Sequence, residues 1–232
     1  MSGEIQELGP EIRDPLFRAL EANEDRPAIP FFICKHSRPT STSAEKLELL
    51  ETNTSLIDLL GDAGVLSGQG RVDFLVSRTL TAKAPGGEQF LVTTFGPNNL
   101  STLEKRILLS ILDYPATENE MYPSGKLAKR TEFGARSGVE LESLGLAPGF
   151  VGPFLRKSVI PNIIIDRVLY LGDYFFEEPH HRVIDFALSP LESLLVPYGA
   201  ELTLIKSYCD QLGINYNIVN GSDTPVFGPV EP

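Results

Sequence analysis

The sequence predicts an α+β fold: a mixed, largely antiparallel sheet with helices packed around it. Three observations carry that expectation. Two alternating runs rich in β-formers, "VDFLVSRTLTA" and "EQFLVTTF", flank a "KAPGG" turn, which is a hairpin signal. Two more strand-like runs come later, "NIIIDRVLYLG" and "RVIDFALS". Helical stretches stand singly among them, without a strict βαβ rhythm.

The elements follow in chain order. "DPLFRALEAN" reads as a helix with Asp14 as N-cap and Pro15 in the first turn, and "DRPAIP" ends it. "FFICK" is a short strand. "TSAEKLELLETNTSLIDLLGDAG" is helical, with Thr42 and Glu45 at capping-box spacing and Gly61 and Gly64 ending or kinking it. After the hairpin, "LSTLEKRILLSILDY" is a helix capped by Ser101 and Glu104. A short helical piece lies near "GVELESLG", followed by a Gly/Pro loop and the two late strands. Ser189 is expected to cap a helix that opens with Pro190, carries Glu192 and stops at Pro197. "ELTLIKSYCDQLG" is a helix, "INYNIVN" a last strand, and the Pro/Gly-rich tail is loosely held.

The chain has 232 residues, of which 42% are apolar, enough for a sizeable core. Residues 1–30 read as an N-terminal helical extension, 31–200 as the main domain and 201–232 as a C-terminal extension. No run of about 18 apolar residues occurs, so no membrane span and no membrane partner are expected. The acidic, polar start does not read as a secretory signal. Cys34 and Cys209 offer no disulfide framework, so a cytoplasmic home is expected.

The net charge of −11 argues against a protein held on nucleic acid by bulk electrostatics, and no DNA partner is expected. Its acidic excess lies outside residues 71–167, where "KLAKRTEFGAR" concentrates Lys126, Lys129, Arg130 and Arg136. That segment is either a local phosphate-binding face or a solvated one.

Common catalytic motifs are absent from the sequence: no G-x-S-x-G, no Walker A loop, no G-x-G-x-x-G, no CxxC and no HExxH. No metal or cofactor is expected, and "EEPHH" reads as an exposed turn. Cys34 and His36 share one face of a strand, as a thiolate–imidazole pair or as a buried cysteine beside a polar histidine. Asp166 interrupts the apolar run "IIIDRVL"; it is either a buried, paired carboxylate or the end of a strand.

The loop "GLAPGFVGPFL" is apolar, yet too rich in glycine and proline for a strand or helix. Glycine lets the backbone approach a ligand closely, and proline stiffens the flanks while donating no N–H. Such a loop can aim its few N–H groups at a carbonyl oxygen, with Phe150, Val151 and Phe154 as an apolar wall. It can equally be a buried connection.

The loop resembles that of the YbaK / prolyl-tRNA synthetase-associated domain family, which reads like GxxPGxVSPFG. Gly145, Pro148, Gly149, Val151, Pro153 and Phe154 match it. In order around it, "KHSRPTSTSAE" resembles the family's early His and helix start, through His36, Ala44 and Glu45. "DFLVSRTLTAK" resembles the strand bearing its K-T-L signature, "NIIIDRVL" its P-V-F-V-D strand with Asp166 in the Asp position, and "RVIDFALSPLESLL" its closing strand and S-P-x-x-L helix. The match spans roughly residues 31–200.

The resemblance implies an aminoacyl-tRNA deacylase that hydrolyses the ester of a mischarged tRNA, a trans-editing activity serving translation fidelity. The partner implied is the 3′ end of the aminoacyl-tRNA. Arg78, Gly149, Gly152 and Pro153 would be catalytic, and His36, Thr79, Phe150, Val151, Phe154 and Asp166 would bind substrate. An aminoacyl ester is already activated, so a gripped carbonyl and a positioned water can suffice without a covalent nucleophile. Arg78 stands where the family has lysine: a planar, permanently charged fork replaces a compact, titratable charge. Gly152 stands where the family has serine. The alternatives are a non-catalytic module of the same type that binds tRNA or a small amino-acid-like ligand, and a hydrolase of another activated ester.

Overall fold

The computed structural model describes residues 9–40, 42–67, 70–83, 89–95, 132–133, 152–154, 162–166 and 181–219. The helix expected after Ser101, the piece near "GVELESLG", the hairpin turn, residues 177–180 of "EEPHH" and the tail lie outside these residues, as do Gly149, Phe150 and Val151; His181, the last residue of "EEPHH", is in a strand and half-buried instead of in an exposed turn.

The fold is α+β with a mixed sheet. Its strands are β1 (Phe32–Lys35), β2 (Val72–Lys83), β3 (Gln89–Phe95), β4 (Glu132–Phe133), β5 (Asn162–Asp166), β6 (His181–Ser189), β7 (Glu192–Pro197) and β8 (Asn215–Val219). They run in the order β1-β7-β6-β2-β3-β5-β8, with β4 paired to β2. The expected hairpin forms: β2 and β3 are antiparallel from Ser77 opposite Phe95 to Lys83 opposite Gln89. Parallel pairs are more prominent than expected, joining β2 to β6, β3 to β5 and β5 to β8.

One face of the sheet carries α1 (Pro10–Leu20) and α4 (Glu201–Leu212). Leu16, Ala19 and Leu20 of α1 meet Leu204, Ile205 and Tyr208 of α4 over Ile184, Phe186, Leu194 and Val196. The other face carries α2 (Ser43–Glu51) and α3 (Leu56–Asp62), whose Leu50, Leu56 and Leu60 cover Phe74, Val183, Leu195 and Cys34. The described parts of both terminal segments thus belong to one core: α1 and α4 share it, and β8 extends the sheet beside β5.

Three local expectations need correction. The first helix starts at Gly9 as N-cap, with Pro10 in its first turn; Asp14 lies inside it. Pro15 withholds one N–H from the Glu11 carbonyl but does not end the helix, because Leu16, Ala19 and Leu20 still bury one continuous stripe. The helix from Thr42 is two helices. Thr52–Ser55 interrupts it with side chains that compete for backbone hydrogen bonds, such as Thr52 Oγ1 donating to the Glu48 carbonyl at 2.7 Å.

The third correction is the largest. No helix follows Ser189: residues 192–197 are β7, antiparallel to β6. Ser189 and Glu192 face each other across a two-residue turn, and Ser189 Oγ accepts from the Leu191 N–H at 3.2 Å. The same Ser-Pro pair that can open a helix opens this turn. What decides is burial on two sides. Leu194 and Val196 enter the α1/α4 core while Leu195 enters the α2/α3 core. Only a strand sends successive side chains to opposite faces.

Candidate functional site

The sheet forks next to the Gly/Pro loop. β2 and β6 pair in parallel from Val72 opposite His181 to Val76 opposite Asp185, where the pairing stops. The same edge of β2 next pairs with β4 at Ala82 and Lys83. Between them, Ser77–Thr81 have no strand partner on that edge among the described residues. Arg78 stands on this stretch, opposite Thr94 of β3, two residues past Val76. On the β6 side, two residues past Asp185, lies Ala187.

The described part of the loop, Gly152–Pro153–Phe154, is buried and packs against that arm of the fork. A Cβ on Gly152 would collide with the carbonyl oxygen of Ala187. Glycine is therefore demanded by a close backbone approach. Phe154 anchors the other side of the loop. Its ring meets Phe186 at 5.2 Å and Tyr208 at 5.1 Å, both edge-to-face. Phe154 is 4% exposed, so its described contacts are those of the α1/α4 core and not of an open wall.

On the α2/α3 face beside the fork lies a buried polar cluster. Lys46 of α2 reaches Asp185 of β6 with Nζ 3.6 Å from Oδ1, and their side chains are only 5% and 0% exposed. Ser193 of β7 is fully buried one step along the sheet, and its Oγ is 2.7 Å from His36 Nε2. His36 sits just past β1, with its backbone N–H donating to the Leu191 carbonyl at 2.8 Å. Both of these hydrogen bonds go to the β6–β7 hairpin.

Burial dominates the electrostatics here. It pushes the Asp185 carboxyl up, against the pull of Lys46 and Ser193 towards the charged form. Neither Asp185 oxygen has a hydrogen bond of ordinary geometry among the described residues, so the ion pair with Lys46 is its main compensation. Burial and the Lys46 charge push the His36 imidazole down to about 4, leaving it neutral near pH 7. Burial and Asp185 push the Cys34 thiol up to about 11. The Cys34 sulfur lies 3.9 Å from the Lys35 carbonyl, and His36 is turned to Ser193. A reactive thiolate–imidazole pair is thus not formed, and Cys34 is the buried cysteine beside a polar histidine.

Nor is Asp185–Ser193–His36 a hydrolytic triad. Ser193 is fully buried, away from any substrate, and the carboxylate lies on the serine side of the chain instead of orienting the histidine. Among the described residues no group of His, Cys, Asp and Glu is arranged to hold a metal.

The structure brings Gly152, Pro153 and Phe154 to β6, and His36 to the hairpin beside them. Thr79 is not with them. It is buried and shares a 3.1 Å hydroxyl hydrogen bond with Thr93, at the strand parity of Leu75, which packs on the α1/α4 core. Asp166 is the last residue of β5, paired with Val219. Sequence reasoning missed Lys46, Asp185 and Ser193. One signal was available: Asp185 interrupts "VIDFA" as Asp166 interrupts "IIIDRVL".

A polar groove of about 680 Å³ lies elsewhere, between α1 and α4. Its arginines are engaged within the protein: Arg26 with the Ala19 carbonyl and Ser207, Arg18 with Gln211.

No family model matches the chain, and no curated protein matches it. A solved structure described as the crystal structure of hypothetical protein APE2540 is similar at a TM-score of 0.44 and 14% identity, covering 89% of this chain and 96% of that one.

Proposed function

We propose that the chain is a YbaK-type aminoacyl-tRNA deacylase that acts in the cytoplasm on a mischarged tRNA. The observation that carries this reading is the seat of Gly152 on the Ala187 carbonyl, at the fork between β2 and β6. That seat fixes Gly152 before substrate arrives, which favours the preorganised backbone that electrostatic stabilisation of an ester oxyanion requires. Arg78 stands on the opposite arm of the same fork, suited to the phosphate or ribose of a tRNA 3′ end. His36, neutral at physiological pH, does not repel the α-ammonium of an aminoacyl group. No helix among the described residues is long and apolar enough to cross a membrane, in keeping with action on a soluble tRNA.

In this reading the loop Gly149–Pro153 grips the ester carbonyl, Phe150 and Val151 size the amino-acid pocket, and water is the nucleophile. One missing methylene changes discrimination by about 1–3 kcal/mol, so small side chains are separable. The test is a panel of tRNAs, each charged with one labelled amino acid and incubated with the protein. Release of label is expected to accelerate over buffer for at least one pair, and to fall at least tenfold in Gly152→Ala and Arg78→Ala. Buffer-level release for every pair would sink the deacylase reading.

A further inference from the structure

The hydrogen bond between His36 and Ser193 can run in either direction, since a hydroxyl both donates and accepts. The surroundings of Ser193 choose between them. Asp185 Oδ1 faces Lys46 Nζ at 3.6 Å. With the Lys46 ammonium at Oδ1, Asp185 is held as a carboxylate, and its other oxygen is an acceptor only. That oxygen is buried and otherwise unsatisfied. Ser193 lies beside the Asp185 carboxyl and favours its charged form. The register agrees: Asp185 pairs with Leu195, so Ser193 is its diagonal neighbour on the same face. An unsatisfied buried oxygen costs about 1–3 kcal/mol, enough to turn the Ser193 hydroxyl towards it.

We infer that Ser193 is a positioning residue that donates its proton to Asp185 and accepts from His36, fixing His36 as the neutral tautomer protonated on Nε2 with Nδ1 as a free acceptor. The polarity runs Lys46 to Asp185, Asp185 from Ser193, Ser193 from His36. Cys34, on β1 opposite Ser193, remains a thiol and does not compete for the imidazole proton. Under the deacylase reading, on which this last consequence rests, Nδ1 supplies a neutral acceptor for the α-ammonium of the aminoacyl group.

The tautomer is read directly from long-range proton–nitrogen NMR spectra of the intact protein labelled with ¹⁵N-histidine, with His36→Asn assigning the signal. The expected wild-type result at pH 7 is a single tautomer protonated on Nε2. In Ser193→Ala the ring is expected to return to a mixture of both tautomers, while Ser193→Thr, which keeps a hydroxyl, retains the wild-type pattern. A wild-type proton on Nδ1, a doubly protonated ring, or a mixture unchanged by Ser193→Ala would each overturn the inference. The spectrum requires no substrate. A protein inactive on every charged tRNA but with the expected tautomer supports the inference while sinking only the deacylase reading.

Discussion

A fully buried aspartate is a demanding residue. Asp185 has no exposure, and its cation among the described residues is Lys46, which is itself buried. Such a pair contributes little net stability, but breaking it leaves an uncompensated charge. Lys46→Met is therefore expected to lower unfolding stability by about 3–5 kcal/mol. The double variant Lys46→Met/Asp185→Leu should recover most of that loss, because it removes the stranded carboxylate as well. Urea denaturation of the wild type and the variants measures both; a Lys46→Met protein as stable as the wild type would show that Asp185 finds its compensation elsewhere. At this scale the sequence was half-legible. An acid among apolar residues flags Asp185, but Lys46 sits in an ordinary amphipathic helix and Ser193 in a misassigned segment. Nothing local announces that three elements will place them together.

At the scale of elements, legibility followed how local the deciding interaction is. The capping box was readable because Thr42 and Glu45 satisfy each other within one turn. The Glu45 N–H donates to Thr42 Oγ1, and the Thr42 N–H to the Glu45 carboxylate, both at 3.2 Å. Thr42→Ala should cost about 1 kcal/mol, and Thr42→Asn much less, since asparagine can cap in the same way. Equal losses for the two would mean that the threonine acts through packing and not through its hydroxyl. The β2–β3 hairpin was readable for a similar reason, as alternation and turn lie within one short segment. β7 was not. Its identity depends on two cores that form on either side of it, and one of them is built from helices about 140 residues earlier in the chain. The Gly/Pro loop is intermediate. Its composition announced a close backbone approach, while the surface approached, the Ala187 carbonyl, emerged only from the fold.

The scale of the whole molecule decides whether residues 31–200 can stand without their extensions. The family resemblance spans roughly residues 31–200 and leaves both acidic ends as extensions. Packing gives those ends more work. Leu16 and Leu20 of α1 and Leu204, Ile205 and Tyr208 of α4 are essentially fully buried over β6 and β7. At about 1.5–3 kcal/mol for each large apolar side chain, these five contribute on the order of 10 kcal/mol. That is comparable to the whole net stability of a typical domain, about 5–15 kcal/mol. Tyr208 also meets Phe154, so α4 supports the loop proposed to grip the ester. The fragment 31–200 would expose Ile184, Phe186, Leu194, Val196 and Phe154 together and would lose β8 from the edge of β5. It is expected to show no cooperative urea transition by near-ultraviolet circular dichroism, whereas the full chain unfolds cooperatively. A sharp transition in the fragment would overturn this view and make the terminal helices true appendages. Loss of the transition would tie the loop's geometry to a helix that lies after it in sequence and across the sheet from His36.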